Sequence, residues 1–159
     1  MVTMKEVRAV SAPHLFPRSA LVGSETALVL FAAAFHGAQD AIWIADAGLQ
    51  ATCVDTDAGK LGEMVLGYPE GWEYVTGDVF TYASITERTW DVVTLDPPST
   101  LFQECADSLP LWCELANNAV VLGCGRDTNV VTPRGWEASE LRHRSNFLGG
   151  VYWTVITPC

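Results

Sequence analysis

No two of the five cysteines (Cys53, Cys105, Cys113, Cys124, Cys159) form a CxxC pair, and their number is odd. Zinc-site spacing is therefore absent and no disulfide framework emerges, so the thiols read as buried or idle groups of a reducing compartment. Histidine is scarce. His14, His36 and His143 are scattered and give no metal-ligand spacing, so no metal is expected. Long apolar runs are missing as well: the longest, Ala27 to Phe35, has nine residues against the roughly 18 that a bilayer span requires. The opening segment, MVTMKEVRAVSAPHLF, lacks a basic stretch followed by an apolar core. With no secretory signal and no membrane span to read, a cytoplasmic protein is expected. Basic residues are few, nine Lys and Arg against nineteen Asp and Glu, and the net charge of −10 argues against a general polyanion binder.

What is present is core material. Of 159 residues, 49% are hydrophobic and 18% charged, with six Trp and six Phe, which excludes a disordered chain. The length suits one domain, 1–159, able to bury roughly 68–70% of its unfolded surface. Charge is unevenly spread. Between Ser19 and Gly125 only Lys60 and Arg88 are basic against fifteen acids, whereas the two ends hold Lys5, Arg8, Arg18, Arg126, Arg134, Arg142 and Arg144 against four acids. These read either as ordinary solvated charges or, if the ends share a face, as a small positive patch on an acidic body.

Strand and helix signals alternate. Thr26–Phe31 is a continuous apolar run, as expected of a central parallel strand covered on both faces. Ala38–Gly48 reads as a short helix with a glycine stop, and Ala51–Asp55 as a second strand ending in an acid. Asp57 is placed to cap a helix from Ala58 to about Leu66. Glu73–Thr76 is a third strand, stopped by Gly77-Asp78. A brief helix around Ser84–Arg88 leads to a fourth strand, Trp90–Leu95, which runs into Asp96-Pro97-Pro98. Phe102–Leu115 reads as one long amphipathic helix kinked at Pro110, followed by a fifth strand, Ala119–Leu122. Two alternating segments, Trp136–Arg144 and Val151–Thr157, form a hairpin turning at Asn146–Gly150. Five βα-type units and a hairpin predict a doubly wound, mostly parallel sheet with an antiparallel edge. The organisation is an N-terminal segment (1–25), βα units (26–125) and a terminal hairpin (135–158).

In such a sheet, ligands bind beyond the carboxyl ends of the strands, near the point where strand order reverses. Three of the first four strand ends carry an acid: Asp55, Asp78 and Asp96. An acid after the second strand is the usual acceptor for two ribose hydroxyls, although Asp55 also reads as a capping partner of Asp57. Asp78 reads equally as an Asx turn beside Gly77. Asp96-Pro97-Pro98 is more specific, because two prolines hold an extended backbone with free carbonyls beside a carboxylate.

At these residues the chain resembles the class I S-adenosylmethionine-dependent methyltransferases, and within them the small bacterial rRNA guanine-N2 methyltransferases. LVLFAAAF (28–35) stands where that family has an LDLFAGSG-like loop, VDTD (54–57) at the ribose-binding strand end and GDVF (77–80) at the adenine-binding turn. LDPPS (95–99) stands at the DPP-aromatic motif, and residues 135–158 resemble the last hairpin. The resemblance implies a seven-stranded Rossmann-like α/β fold and S-adenosylmethionine held by Ala32, Ala33, Phe35, Gly37, Asp55, Asp78 and Val79. It further implies Asp96, Pro97 and Pro98 as the catalytic set, orienting an exocyclic amine of a base in RNA or, second, DNA. Ser99 and Phe102 would line the acceptor site. His14, Phe16, Arg18, Arg142 and Arg144 would face the nucleic-acid backbone.

The chain departs from the family pattern at four positions. Ala33 and Phe35 replace loop glycines, Val29 replaces an acid inside the first strand, and Ser99 stands where the stacking aromatic would be. These departures support a second reading, a catalytically inactive methyltransferase-fold protein that binds or regulates a protein partner. A small-molecule methyltransferase fits the acidity but lacks an added lid. Leu122-Gly-Cys-Gly125 also reads like a cofactor loop. Only a hairpin follows it, so Gly123 and Gly125 are expected to form a turn after the fifth strand.

Overall fold

Thr26–Leu30 forms β1 because its apolar side chains find cover on both faces: Leu28 and Leu30 point into one core cluster, Ala27 and Val29 into the other. The computed structural model describes residues 16–143 and 151–159. The order after β1 is α1 (Phe35–Asp46), β2 (Gln50–Asp55), α2 (Ala58–Val65), β3 (Glu73–Thr76), α3 (Val79–Ile85) and β4 (Trp90–Leu95). A 3-10 turn at Ser99–Leu101 leads into α4 (Phe102–Asp107), α5 (Leu109–Leu115), β5 (Ala116–Gly125), β6 (Trp136–His143) and β7 (Val151–Pro158). One seven-stranded sheet results, in the order β3-β2-β1-β4-β5-β7-β6. β1 to β5 pair in parallel; β7 is antiparallel to β5 and to β6. The predicted doubly wound sheet with an antiparallel C-terminal hairpin is the one observed. The order reverses between β1 and β4, and open α/β sheets usually take their ligands beyond the carboxyl ends of the strands at such a reversal.

The sheet separates two cores. α3, α4 and α5 pack Val79, Ala83, Cys105, Leu109 and Trp112 against one face, while α1 and α2 pack Ala41, Ile44, Leu61 and Met64 against the other. Two of the buried indoles are matched to acceptors: Trp90 Nε1 donates to Thr52 Oγ1 at 3.2 Å and Trp112 Nε1 to the Cys105 carbonyl at 2.8 Å. Truncating such a side chain typically costs about 3–5 kcal/mol, the scale of the core's hold on the fold. At the amino end of β4, Asp91 accepts from the Glu25 and Thr26 amides and from Asn117, fastening β1, β4 and β5 together.

Several sequence expectations need correction. The helix after β3 starts at Val79, not near Ser84, because Asp78 caps it by accepting from Thr81 N at 2.8 Å. α1 begins at Phe35, three residues before Ala38. The predicted long helix is two helices divided at Ser108, with Pro110 in the first turn of α5, where a missing N–H costs nothing. Gly123 and Gly125 are not a turn. β5 continues through both, and they pair with Trp153 and Val151 of β7, so the hairpin holds them extended. The predicted hairpin turn at Asn146–Gly150 lies outside the described residues.

Candidate functional site

Asp55, Asp78 and Asp96 occupy the carboxyl ends of β2, β3 and β4 on the same edge of the sheet, flanking the end of β1. At that end Phe31 has φ 58, the one non-glycine residue with positive φ among the described residues. This left-handed conformation costs an L-residue roughly 1–2 kcal/mol. Its consequence is a tight turn: Ala34 N donates to the Phe31 carbonyl at 3.1 Å, and Ala32 N reaches across to the Val54 carbonyl at 3.3 Å. Ala33 N donates to Asp55 Oδ2 at 3.0 Å.

Asp55 therefore serves several segments at once. Its Oδ1 accepts from Asp57 N at 3.0 Å, and its main-chain carbonyl accepts from Gly77 N at 2.9 Å, which draws the β3 turn against β2. Each carboxylate oxygen has a further acceptor position, and the side chain is only half-buried, so a pair of ligand hydroxyls can still be accepted. Asp57 caps α2 through Lys60 N, so the capping role belongs to Asp57 while Asp55 braces the loop. Asp78 binds Thr81 N and Thr81 Oγ1 through Oδ2 alone, and Oδ1 makes no hydrogen bond to a described residue. Val79 is buried with its side chain in the core, so only its main chain is available to a ligand.

The arrangement fits the adenosine half of the cofactor that the motifs imply. A Cβ placed on Gly77 would meet nothing within 4 Å, so the turn between β3 and Asp78 borders open space. Ala33 and Ala34 are partly exposed and present only methyl groups, and Ala34, the N-cap of α1, makes no side-chain cap to its amides. Ala32 is fully buried. Phe35 and Gly37 open the first turn of α1; the side chain of Phe35 lies outside the described ones. Val29 is fully buried and apolar, so β1 supplies no acid for a methionine amine.

Asp96 and Pro97 are buried, Asp96 to 1% exposure, whereas Pro98 and Ser99 are exposed. Both carboxylate oxygens of Asp96 are shielded from solvent, while Pro98 and Ser99, which follow in the chain, lie at the surface. The 3-10 turn then folds the chain back so that Ser99 and Phe102 line one open cavity of about 530 Å³. Gly125, Arg126, Asp127 and Thr128 close its other side. These residues escape a motif search. No sequence signal marks the clamp that brings them there: the Gln103 amide pairs with the backbone of Asn129 (Nε2 to the carbonyl at 3.0 Å, Asn129 N to Oε1 at 3.0 Å) and so fixes the loop after β5.

The expected nucleic-acid contacts divide. Phe16 is 1% exposed and packs edge-on against Trp153 with centroids 5.7 Å apart; it is a core residue, contrary to expectation. Arg18 is exposed and stacks 4.2 Å from the ring centre of Trp43 on the flank of α1. His14 and Arg144 lie outside the described residues, as does the side chain of Arg142. Among the described residues no three His, Cys, Asp or Glu are grouped to hold a metal, and no helix is long and apolar enough to cross a membrane.

No protein-family model matches the chain, and no curated protein matches it. Solved structures do. TrmN from Thermus thermophilus aligns with a TM-score of 0.66 at 13% identity, over 98% of this chain and 48% of that one. The O-methyltransferase from Bacillus cereus, in complex with S-adenosylhomocysteine, aligns at 0.63 and 12% identity over 98% and 90%. This chain has the Rossmann-like methyltransferase fold. The 16S rRNA methyltransferase RmtF, in complex with S-adenosyl-L-homocysteine, gives a TM-score of 0.60 at 13% identity over 96% and 64%. The chain thus spans about half the length of TrmN but nine-tenths of the Bacillus protein. At such low identity the likeness carries the methyltransferase fold, and the guanine-N2 likeness rests on the four motifs.

Proposed function

We propose that this protein is an S-adenosylmethionine-dependent methyltransferase acting on an exocyclic amine of a base, in RNA before DNA. The observation that carries the reading is the placement of Asp55, Asp78 and Asp96-Pro97-Pro98 at successive strand ends around the β1/β4 reversal. When bound, the cofactor supplies an electrophilic methyl group on a sulfonium. Asp55 holds the ribose hydroxyls through its remaining acceptor positions, and Asp78 Oδ1 with the Val79 main chain holds the adenine edge. The Asp96 carboxylate and the Pro97 carbonyl accept from the two N–H bonds of the target amine, aiming its lone pair along the transfer axis. That alignment, with water kept from a buried carboxylate, is the main demand of an in-line displacement. As the N–C bond forms and the S–C bond of the sulfonium breaks to leave a neutral thioether, Asp96 would take up the departing proton. Ser99 and Phe102, which line the open cavity that follows the Asp-Pro-Pro segment, would hold the rest of the acceptor.

Neighbours of this fold include both an rRNA methyltransferase and an O-methyltransferase, so the base preference rests on the Asp-Pro-Pro motif. The test is transfer of a labelled methyl group to total RNA, and separately to DNA. Asp96→Ala should lower transfer by at least 100-fold with cofactor binding retained; unchanged transfer sinks the acceptor assignment. One observation favours a second reading. The buried Val29 leaves the methionine end without the acid that the resemblance implies, as in a methyltransferase fold retained for binding a partner protein. Failure to bind the cofactor at millimolar concentration would favour that reading.

A further inference from the structure

We propose that Phe31 is a positioning residue of the cofactor cleft, coupling the turn after β1 to the Asp78 turn through the contact of its ring with Phe80. The proposal deepens the methyltransferase reading and rests on it.

Glycine adopts positive φ without steric cost, and the loop after β1 contains none before Gly37. A phenylalanine at φ 58 persists only where its surroundings over-determine it. Those surroundings are on the α3 side of the sheet. The Phe31 ring meets the Phe80 ring edge-on, centroids 6.4 Å apart and planes at 74°, and Phe80 in turn packs on Trp112 at 5.5 Å. Trp112 is fully buried and its indole N–H is anchored on the Cys105 carbonyl, so this row of rings ends on a fixed point.

Each end of the Phe31–Phe80 contact adjoins one of the two polar groups of the adenosine site. On one side, the left-handed turn at Phe31 delivers Ala33 N to Asp55 Oδ2. On the other, Phe80 is the second residue of α3, whose cap Asp78 holds Thr81 N. The Asp55 carbonyl already ties Gly77 to β2 through the backbone. The ring contact adds a side-chain link between the ribose-binding and adenine-binding ends. A ring that merely filled space in this cluster would need no left-handed backbone.

Phe31→Leu, Phe80→Leu, Phe31→Gly and, as a control in the same cluster on β5, Val120→Ala are compared by two measurements. Native-state amide exchange needs no ligand. Phe31→Leu should speed exchange at Thr81 by at least tenfold, and Phe80→Leu should do the same at Ala33. The double leucine variant should be no faster than either single one, and Val120→Ala should leave both amides within the change in global stability. Calorimetric titration with S-adenosylhomocysteine should show at least a tenfold loss of affinity in both leucine variants and in Phe31→Gly, but not in Val120→Ala. Additive effects, exchange confined to the mutated side, or a Phe31→Gly variant with full affinity would overturn the coupling. No binding by the wild type would overturn the functional reading and the pair's role in a cofactor cleft, and the exchange data would still decide whether the two turns move together.

Discussion

Ala33 N donates to Asp55 Oδ2 at 3.0 Å, so the acid at the end of β2 braces the loop after β1. The same carboxylate accepts from Asp57 N, which makes it structural before any ligand arrives. Asp55→Ala should therefore destabilise the apo protein by about 1.5–3 kcal/mol, the usual value for hydrogen bonds to a charged acceptor. Asp55→Asn keeps one oxygen and should lose less. Urea unfolding of both variants measures this; an Asp55→Ala midpoint equal to wild type would mean the bonds contribute nothing.

The carboxyl of Asp91 titrates below its ordinary value, first because the Glu25 amide donates to it, with Asn117 and Thr26 adding to the effect. A group whose folded value is depressed binds fewer protons folded than unfolded, so its stabilisation is present above the unfolded value of about 3.9 and lost as pH falls through the folded value. Asp91→Asn should be less stable than wild type at pH 7 by about 1–3 kcal/mol, and the gap should narrow as pH falls below about 4. Parallel stability profiles would contradict this. Glu73 is depressed chiefly by its hydrogen bond to Arg88, but the pair is half exposed and screened, and adds little.

Burial pushes the Cys53 and Cys105 thiols up to about 12 and Cys113 to about 11, and Cys124 upward as well. Cys159 alone among the five is exposed. A thiol reagent at about pH 8 should modify one cysteine in the native protein and all five after denaturation, because reaction needs an accessible thiolate. Fast modification of two or more in the native state would show that the core opens.

Apolar runs made the fold legible: β1, β3 and β4 lie where continuous or alternating hydrophobicity put them, and Asp57 announced α2. α3 was displaced in the reading because Val79, Phe80, Thr81 and Tyr82 are poor helix formers, and the tertiary packing of Val79 and Ala83 overrides their propensity. Gly123 and Gly125 suggested a turn, since pairing with a strand almost thirty residues away leaves no local trace. The acids of the candidate site were legible from their positions at strand ends. The left-handed Phe31 was not, because a bulky residue carries no signal for positive φ. The closeness of Arg126 and Thr128 to Ser99 and Phe102 was not legible, because the Gln103–Asn129 clamp that holds their loop there leaves no mark in the sequence.

If Asp55 and Asp78 hold the two ends of an adenosine, the folded protein must bind S-adenosylmethionine. Thermal unfolding with and without S-adenosylmethionine and S-adenosylhomocysteine, after removal of copurified ligand, tests it most directly. At about 100 times the dissociation constant a ligand adds roughly 2.7 kcal/mol to the native state. For a chain of this length that raises the midpoint by about 5–11 °C. Such a rise is expected in the wild type, and its loss in Asp55→Ala. An unchanged wild-type midpoint at millimolar ligand would contradict that binding.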